Sequence, residues 1–300
     1  MNFWGDEQFS FFESILFLAL GQTVEVIEMQ FLSGGDINTS AQVFSSEGVF
    51  FVKWNQMDQS QNVSGKPTMF EAEALGLDLL RHTDALHIPK VIGHGQHQDK
   101  AYLILDYIDP GKPTETYWET LGQSLAVLHS HTQPKFGLNF DNYIGSLPQD
   151  NTLTTNGLDF FFEHRLLPQA GLALYKELLP RQAYDALLRL RARLPDLIPN
   201  ERPALLHGDL WSGNVLVDED GQPALIDPAV YYGLREAELA FTKLFGGFDD
   251  RFYDAYNEAF PLEDGFYERV GLYNLYPLLV HVNLFGSGYV SGVERILKQF

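Results

Sequence analysis

A chain of 300 residues, 45% hydrophobic and 20% charged, can bury one large core or two lobes around a cleft, which excludes a disordered protein. Its 20 Lys and Arg stand against 40 Asp and Glu, and a formal charge of −20 sets it against nucleic acid and anionic membranes, so an anionic ligand needs local cations, backbone N–H groups or a bridging metal ion. The absence of cysteine excludes disulfides, thiolate metal sites and a cysteine nucleophile, and neither the acidic start MNFWGDEQ nor the short run SILFLAL reads as a signal or a span, so the expectation is a soluble cytoplasmic protein.

In chain order, FESILFLALG (12–21) reads as a short amphipathic helix, and VEVIEMQFL (24–32) and AQVFSSEGVFFVKW (41–54) as strands joined by turns. The Gly-rich SGGDINTS (33–40) lies between them. KPTMFEAEALGLDLLRHT reads as a helix opened by a capping box of Thr68 and Glu71, with Phe70, Ala74 and Leu77 on one face. VIGHGQ and AYLILDYI are strand-like. DPGKPTE (109–115) breaks both periods and marks a linker. Beyond it Trp118, Leu121, Leu125 and Leu128 space as a buried helix face, with Thr116 and Glu119 as a second capping box, and Ala183, Leu187, Leu190 and Leu194 repeat the pattern. FGLNFDNYIGSLPQDNT (136–152) is a long Gly/Asn/Pro-rich loop of the kind that carries function. The carboxyl end, 235–300, is mostly helical. The outline is an α+β, two-lobed chain: a small strand-rich lobe (1–108), a hinge (109–115) and a larger helical lobe (116–300).

The stretch LLHGDLWSGNVLVDEDGQPALIDP (205–228) carries the chemistry. NVLV and ALI read as strands of a hairpin turned at DEDG, because Asp-Gly between β-prone runs is a strong turn signal. Antiparallel pairing then brings Asn214 and Asp227 to one edge, with Asp209 five residues before Asn214. Magnesium takes hard oxygen ligands, one or two from protein carboxylates and the rest from phosphates, and Asn214 with Asp227 can supply the protein share. Asp209 is left to accept a hydroxyl proton. HGDLWSGN has the H-x-D-x-x-x-x-N spacing of kinase-type phosphoryl transfer. Pro228 should hold Asp227 extended.

That chemistry also needs a lysine on a strand of the small lobe. VFFVK supplies Lys53, on one face with Val49 and Phe51, and an acid on the following helix should pair with it. Of Glu71 and Glu73, the E-A-x-x-L context favours Glu71. SGGDIN (33–38) can close over phosphates through backbone N–H groups. Taken singly, each feature has an ordinary reading: a turn, a solvated strand lysine, a capping glutamate, a core tryptophan at Trp211. His207 is read as a brace for the loop. The order of the set, Gly-rich turn, lysine strand, acidic helix, hinge, then acid, amide and acid, is what a two-lobed kinase requires.

LLHGDLWSGNVL together with IDPAVYYG, EAELA, LFGGF, FYDAY and FGSGY resembles the fructosamine kinase (ketosamine 3-kinase) family of the aminoglycoside phosphotransferase group, and SGGDIN, MFEAEALGL and FFEHRLLPQ fall in the matching order. The resemblance covers nearly the whole chain and implies a protein-kinase-like fold. It implies Asp209 as catalytic base, Asn214 and Asp227 as magnesium ligands, and Lys53 with Glu71 at the phosphates of ATP. Gly34, Gly35 and Asn38 belong to the phosphate loop, and Asp106 and Ile108 to the adenine hinge. Asp106 replaces the glutamate of many relatives, and Leu234 stands where the family often has histidine. The implied reaction is phosphorylation of the sugar 3-hydroxyl of ketosamines, free or protein-bound, whose unstable product releases the amine. Trp211, Arg165 and the loop from Asn142 to Asn151 are expected at the acceptor. A phosphotransferase for an aminoglycoside or choline, and a nucleotide-binding pseudokinase, are the alternatives.

Overall fold

The computed structural model describes residues 6–32, 38–57 and 65–300 of the protein. The small lobe opens with α1 (Asp6–Leu20), which begins earlier than the apolar run alone indicates. It continues through β1 (Val26–Leu32), β2 (Thr39–Ser45), β3 (Gly48–Gln56), α2 (Met69–Arg81), β4 (Val91–His97) and β5 (Lys100–Asp106). The five strands form one antiparallel sheet in the order β1-β2-β3-β5-β4.

Alternation along the strands gives this sheet two apolar faces. Phe50 and Val52 of β3 and Tyr102 and Ile104 of β5 pack with Phe11, Phe12, Ile15 and Leu16 of α1. Leu103 and Leu105 face the other way, toward Phe70, Leu77 and Leu80 of α2, and that cluster runs on without a break into the large lobe. Each fully buried Leu or Phe contributes about 1.5–3 kcal/mol of transfer free energy. Lys53 stands on this second face among apolar neighbours and is only 7% exposed, which it can be only if it is paired.

After β5 the chain crosses to the large lobe, where 109–115 is pinned rather than loose. The Gly111 N–H donates to Val217 O at 3.0 Å and the Thr114 N–H to Gly221 O at 3.2 Å. Then come α3 (Tyr117–Ser130) and a small hairpin, β6 (Asn142–Ile144) with β7 (Leu147–Gln149), inside the segment read as a loop. Next, α4 (Gly157–Phe161) widens through a π-helical turn, Phe162–Leu166, into α5 (Leu167–Tyr175). The chain then forms α6 (Arg181–Leu190), α7 (Leu194–Leu197), β8 (Ala204–Leu206), β9 (Val215–Val217), β10 (Pro223–Leu225) and β11 (Tyr231–Gly233). Helices α8 (Arg235–Thr242), α9 (Asp250–Ala259), α10 (Phe266–Tyr273), α11 (Leu275–Phe285) and α12 (Val290–Leu297) complete it. The expected two-lobed α+β architecture is therefore the one the chain adopts. Among the described residues no helix is long and apolar enough to cross a membrane.

Two local expectations divide. At α2 the capping box forms, with Thr68 and Glu71 in reciprocal contact. At α3 it does not: Thr116 makes no side-chain cap, and Glu119 reaches Arg251 at 3.5 Å instead. A cap worth about 1 kcal/mol is readily lost to an arginine carried in by another helix.

Candidate active site

The hairpin forms as its turn signal requires, with β9 and β10 antiparallel and Val215 opposite Leu225, so the residues flanking that end of the pair, Asn214 and Asp227, meet. The Asn214 amide nitrogen donates to Asp209 Oδ2 at 3.1 Å and to Asp209 O at 2.8 Å, which fixes its orientation and leaves Oδ1 for a cation. Asp227 is not extended. Its φ is +56°, a left-handed turn that aspartate tolerates better than most residues, and it corrects the expectation drawn from Pro228. From that turn Asp227 Oδ1 accepts from Lys53 Nζ.

The other partner of Lys53 is Glu73, at 2.9 Å, not Glu71. Glu71 caps α2 and faces outward with Leu75 and Asp78, whereas Glu73 precedes the buried Leu77 and Leu80 by four and seven residues. The correction was available from helical periodicity. Burial pulls the Lys53 ammonium down, but the charges of Asp227 and Glu73 outweigh it and hold the pKa above the ordinary lysine range. Burial pushes the Glu73 carboxyl up, against the pull of Lys53. Glu73→Gln removes one charge-assisted bond, and kcat/KM for nucleotide is expected to fall about 10- to 100-fold. Glu71→Ala should cost about 1 kcal/mol of stability and leave kcat/KM unchanged. Nucleotide-dependent kinetics and denaturant melts on the pair check both.

Asp209 lies where the chain leaves Gly208, whose φ of +86° and approach to Ala229 O leave no room for a side chain: a Cβ there would sit 2.0 Å from that oxygen. Burial, then the charge of Asp227, raise the Asp209 carboxyl to about 7, against the hydrogen bond from Asn214 and the more distant Lys53. His207 braces the loop as expected: its Nε2–H donates to Ile226 O at 2.9 Å and its Nδ1 accepts from the Asp209 N–H at 3.3 Å. Burial lowers the pKa of this imidazole, which suits a neutral ring with that tautomer. Trp211 is 38% exposed two residues after Asp209, with its ring against Gly213, where a Cβ would meet it at 2.3 Å.

Arg165 is a correction. It is fully buried in the π-helical turn, donates to Asp150 O at 2.7 Å and Asn151 Oδ1 at 2.6 Å, and stacks on Tyr231 at 4.0 Å, so it supports the wall and does not face a ligand. The amides of Asn142, Gln149 and Asn151 in the 142–151 segment also turn inward: Asn142 and Gln149 donate to the carbonyls of Val230 and Ala229. Asn38 accepts from Asn55 at 2.8 Å near the start of α2. Asp106 ends β5, where its Oδ1 accepts from the Lys90 N–H, and Ile108 lies half-buried in the crossing segment. Gly34 and Gly35 lie outside the described residues.

With this geometry in place, the model of one family, fructosamine kinase, matches residues 11–300. The chain belongs to the fructosamine kinase family. A probable ketoamine kinase of Synechocystis is 41% identical over 280 residues, 93% of this chain and 92% of that one. The chloroplastic protein-ribulosamine 3-kinase of Arabidopsis thaliana is 37% identical over 288 residues, 94% of this chain and 85% of that one. A crystal structure from Haemophilus somnus, proposed to be a fructosamine-3-kinase, superposes with a TM-score of 0.85 at 30% identity and covers 96% of both chains. Aminoglycoside phosphotransferase APH(4)-Ia, in a ternary complex with AMP-PNP and hygromycin B, shares the fold with a TM-score of 0.62 at 18% identity, covering 95% of this chain and 97% of that one.

One supporting residue of this fructosamine kinase family member escaped the sequence. Glu238 on α8 is buried and accepts from the N–H groups of His207 at 3.1 Å and Gly208 at 2.6 Å, and from His129 Nε2 at 2.9 Å. Burial alone would raise its carboxyl, but the hydrogen bond and charge of His129 hold it below the ordinary range. EAELA gives no local hint of a contact thirty residues back. Glu238→Ala strands the buried His207 amide and the part-buried Gly208 amide and leaves His129 unpaired at Nε2, and the expected loss is about 3–5 kcal/mol in denaturant unfolding.

Proposed function

We propose that this chain is an ATP-dependent kinase that phosphorylates the 3-hydroxyl of ketosamines on glycated amines, leading to deglycation. One observation carries the reading: Asp209, raised to about 7, shares a hydrogen-bonded set with Asn214 and stands beside Asp227, which is paired to Lys53 and through it to Glu73. Relatives across the family are named ketoamine or ribulosamine kinases.

In this reading Asp209 accepts the proton of the acceptor hydroxyl as its oxygen bonds to the γ-phosphorus and the bond to the β–γ bridging oxygen breaks, releasing ADP. Lys53, held by Glu73, positions the nucleotide phosphates. Asn214 Oδ1 and an oxygen of Asp227 are the hard donors a magnesium ion takes, and when bound the ion neutralises charge on the phosphates. Residues 1–108 are the nucleotide lobe, with the backbone at Asp106 and Ile108 meeting adenine and Gly34, Gly35 and Asn38 assigned to the phosphates. Residues 109–115 are the linker, docked on the hairpin at Gly111 and Thr114, and 116–300 the catalytic lobe, with Trp211 packing on the C–H face of the sugar.

The test is ADP release with ATP and magnesium, offering ribuloselysine and fructoselysine against a panel of aminoglycosides and choline. Turnover is expected on the ketosamines. Silence there, with turnover on another alcohol, overturns the acceptor while keeping the phosphotransfer.

A further inference from the structure

Beside Asp209 lies a narrow cleft, lined on one side by Phe241 of α8 and by Pro277, Val280 and His281 of α11. Its titratable groups are Asp209, Glu238, His281 and three tyrosines, and Glu238 is consumed by the loop amides. The rings around His281 continue outward: Phe245 at 4.7 Å, Phe285 at 5.4 Å and Tyr289 at 5.0 Å between centroids. Phe245 also packs edge-on against Phe241. At the outer end of this wall Phe245 is 38% and Phe285 48% exposed, so aromatic surface stands in water in continuity with the pocket of the base.

The hydrogen bonding of His281 is one-sided. Its Nδ1 lies 2.7 Å from Pro277 O, and a carbonyl only accepts, so Nδ1 carries the proton. Burial lowers the pKa of the ring, and a neutral ring protonated on Nδ1 presents Nε2 as a bare acceptor. A neutral acceptor framed by aromatic rings suits a protonated amine, which donates N–H bonds and is drawn to π faces.

Resting on the ketosamine reading, we propose that His281, Phe245 and Phe285 form the subsite for the amine end of the acceptor, the ammonium donating to His281 Nε2 and its substituent lying on the two phenylalanine rings. In a ketosamine the nitrogen is four covalent bonds from the 3-oxygen, a short span, and Asp209 and His281 line the same cleft. The ketose is then read near Asp209, and the amine by a wall that rewards cationic and apolar character together.

The experiment compares fructoselysine, the methylamine adduct of the same ketose, and fructose itself, as substrates or as competitive inhibitors, in wild type and variants. His281→Phe keeps the ring and removes the acceptor: KM for both amine adducts should rise about tenfold with kcat little changed, and fructose should be unaffected. His281→Gln, which restores an acceptor, should recover most of the loss. The double variant Phe245→Leu, Phe285→Leu, at partly exposed positions that tolerate change, should erase the preference for the lysine adduct over the methylamine adduct. Equal effects on fructose and the adducts, or no effect at all, overturn the subsite. If wild type turns over no ketosamine, the functional reading fails and the subsite with it; turnover by wild type with indifferent variants removes the subsite alone.

Discussion

Asp209→Asn is expected to lose turnover by roughly 10²- to 10⁴-fold while binding ATP and magnesium normally, because an amide keeps the shape and the contact with Asn214 but takes no proton. The raised carboxyl pKa gives the prediction a pH dependence. Only the carboxylate is a base, so wild-type kcat/KM should fall as pH drops through about 7, the value set by burial and then by Asp227. The variant's residual rate should show no such limb. Stability changes in the opposite sense. Asp209 binds its proton more tightly folded than unfolded, so between its ordinary 3.8 and about 7 rising pH costs the native state free energy. The asparagine variant is therefore more stable than wild type at pH 8, and its advantage shrinks toward pH 5. Near wild-type turnover in the variant would remove Asp209 from the role.

Asp227→Ala should cost about 10²- to 10³-fold in turnover and weaken nucleotide binding specifically in the presence of magnesium. It also releases Lys53 to Glu73 alone and removes the second cause of the Asp209 shift. The residual activity should accordingly keep its acidic limb at a lower pH than in wild type. Titration of ADP release against magnesium, with a pH series on the variant, checks both; an unchanged magnesium requirement would falsify the metal assignment.

What could be read from the sequence was what depends on near neighbours. The Asp-Gly turn, the five-residue step from Asp209 to Asn214 and the one-sided helix α2 are local rules, and the structure builds the hairpin and helix from them. Glu73 was equally legible, since its spacing to Leu77 and Leu80 marks the buried stripe; favouring Glu71 put a sequence context before a periodicity. What stayed hidden depends on segments meeting from afar. The inward turn of Arg165 follows from a π-helical turn and from the carbonyls of another loop, and the grip of Glu238 on the Gly208 amide spans thirty residues. Neither leaves a period or a composition to find. The left-handed turn at Asp227 is a third case, set by where the chain must go next, as the Ala229 N–H bonds back to His207 O.

The pinned crossing has a mechanical consequence. Asp106 is tied to Lys90 in the sheet and Gly111 to Val217 in the hairpin, so only 107–110 lies between anchored points, and Pro110 stiffens one of those positions. A second tie sits nearby: the Leu225 N–H donates to His87 O, and His87 Nδ1 meets Asp218 at 2.8 Å. The first attachment grips the hairpin beside its turn, and the second runs from Asp218 at the turn along β10 to Leu225, next to the end that carries Asn214 and Asp227. A third bridge, Lys66 to Asp141 at 2.7 Å, joins exposed side chains and is worth no more than about 1 kcal/mol. Rotation of one lobe against the other therefore strains the Lys66–Asp141 bridge, the Lys53–Asp227 pair and the apolar cluster that α2 shares with the large lobe, about a fulcrum built into the hairpin that carries Asn214 and Asp227.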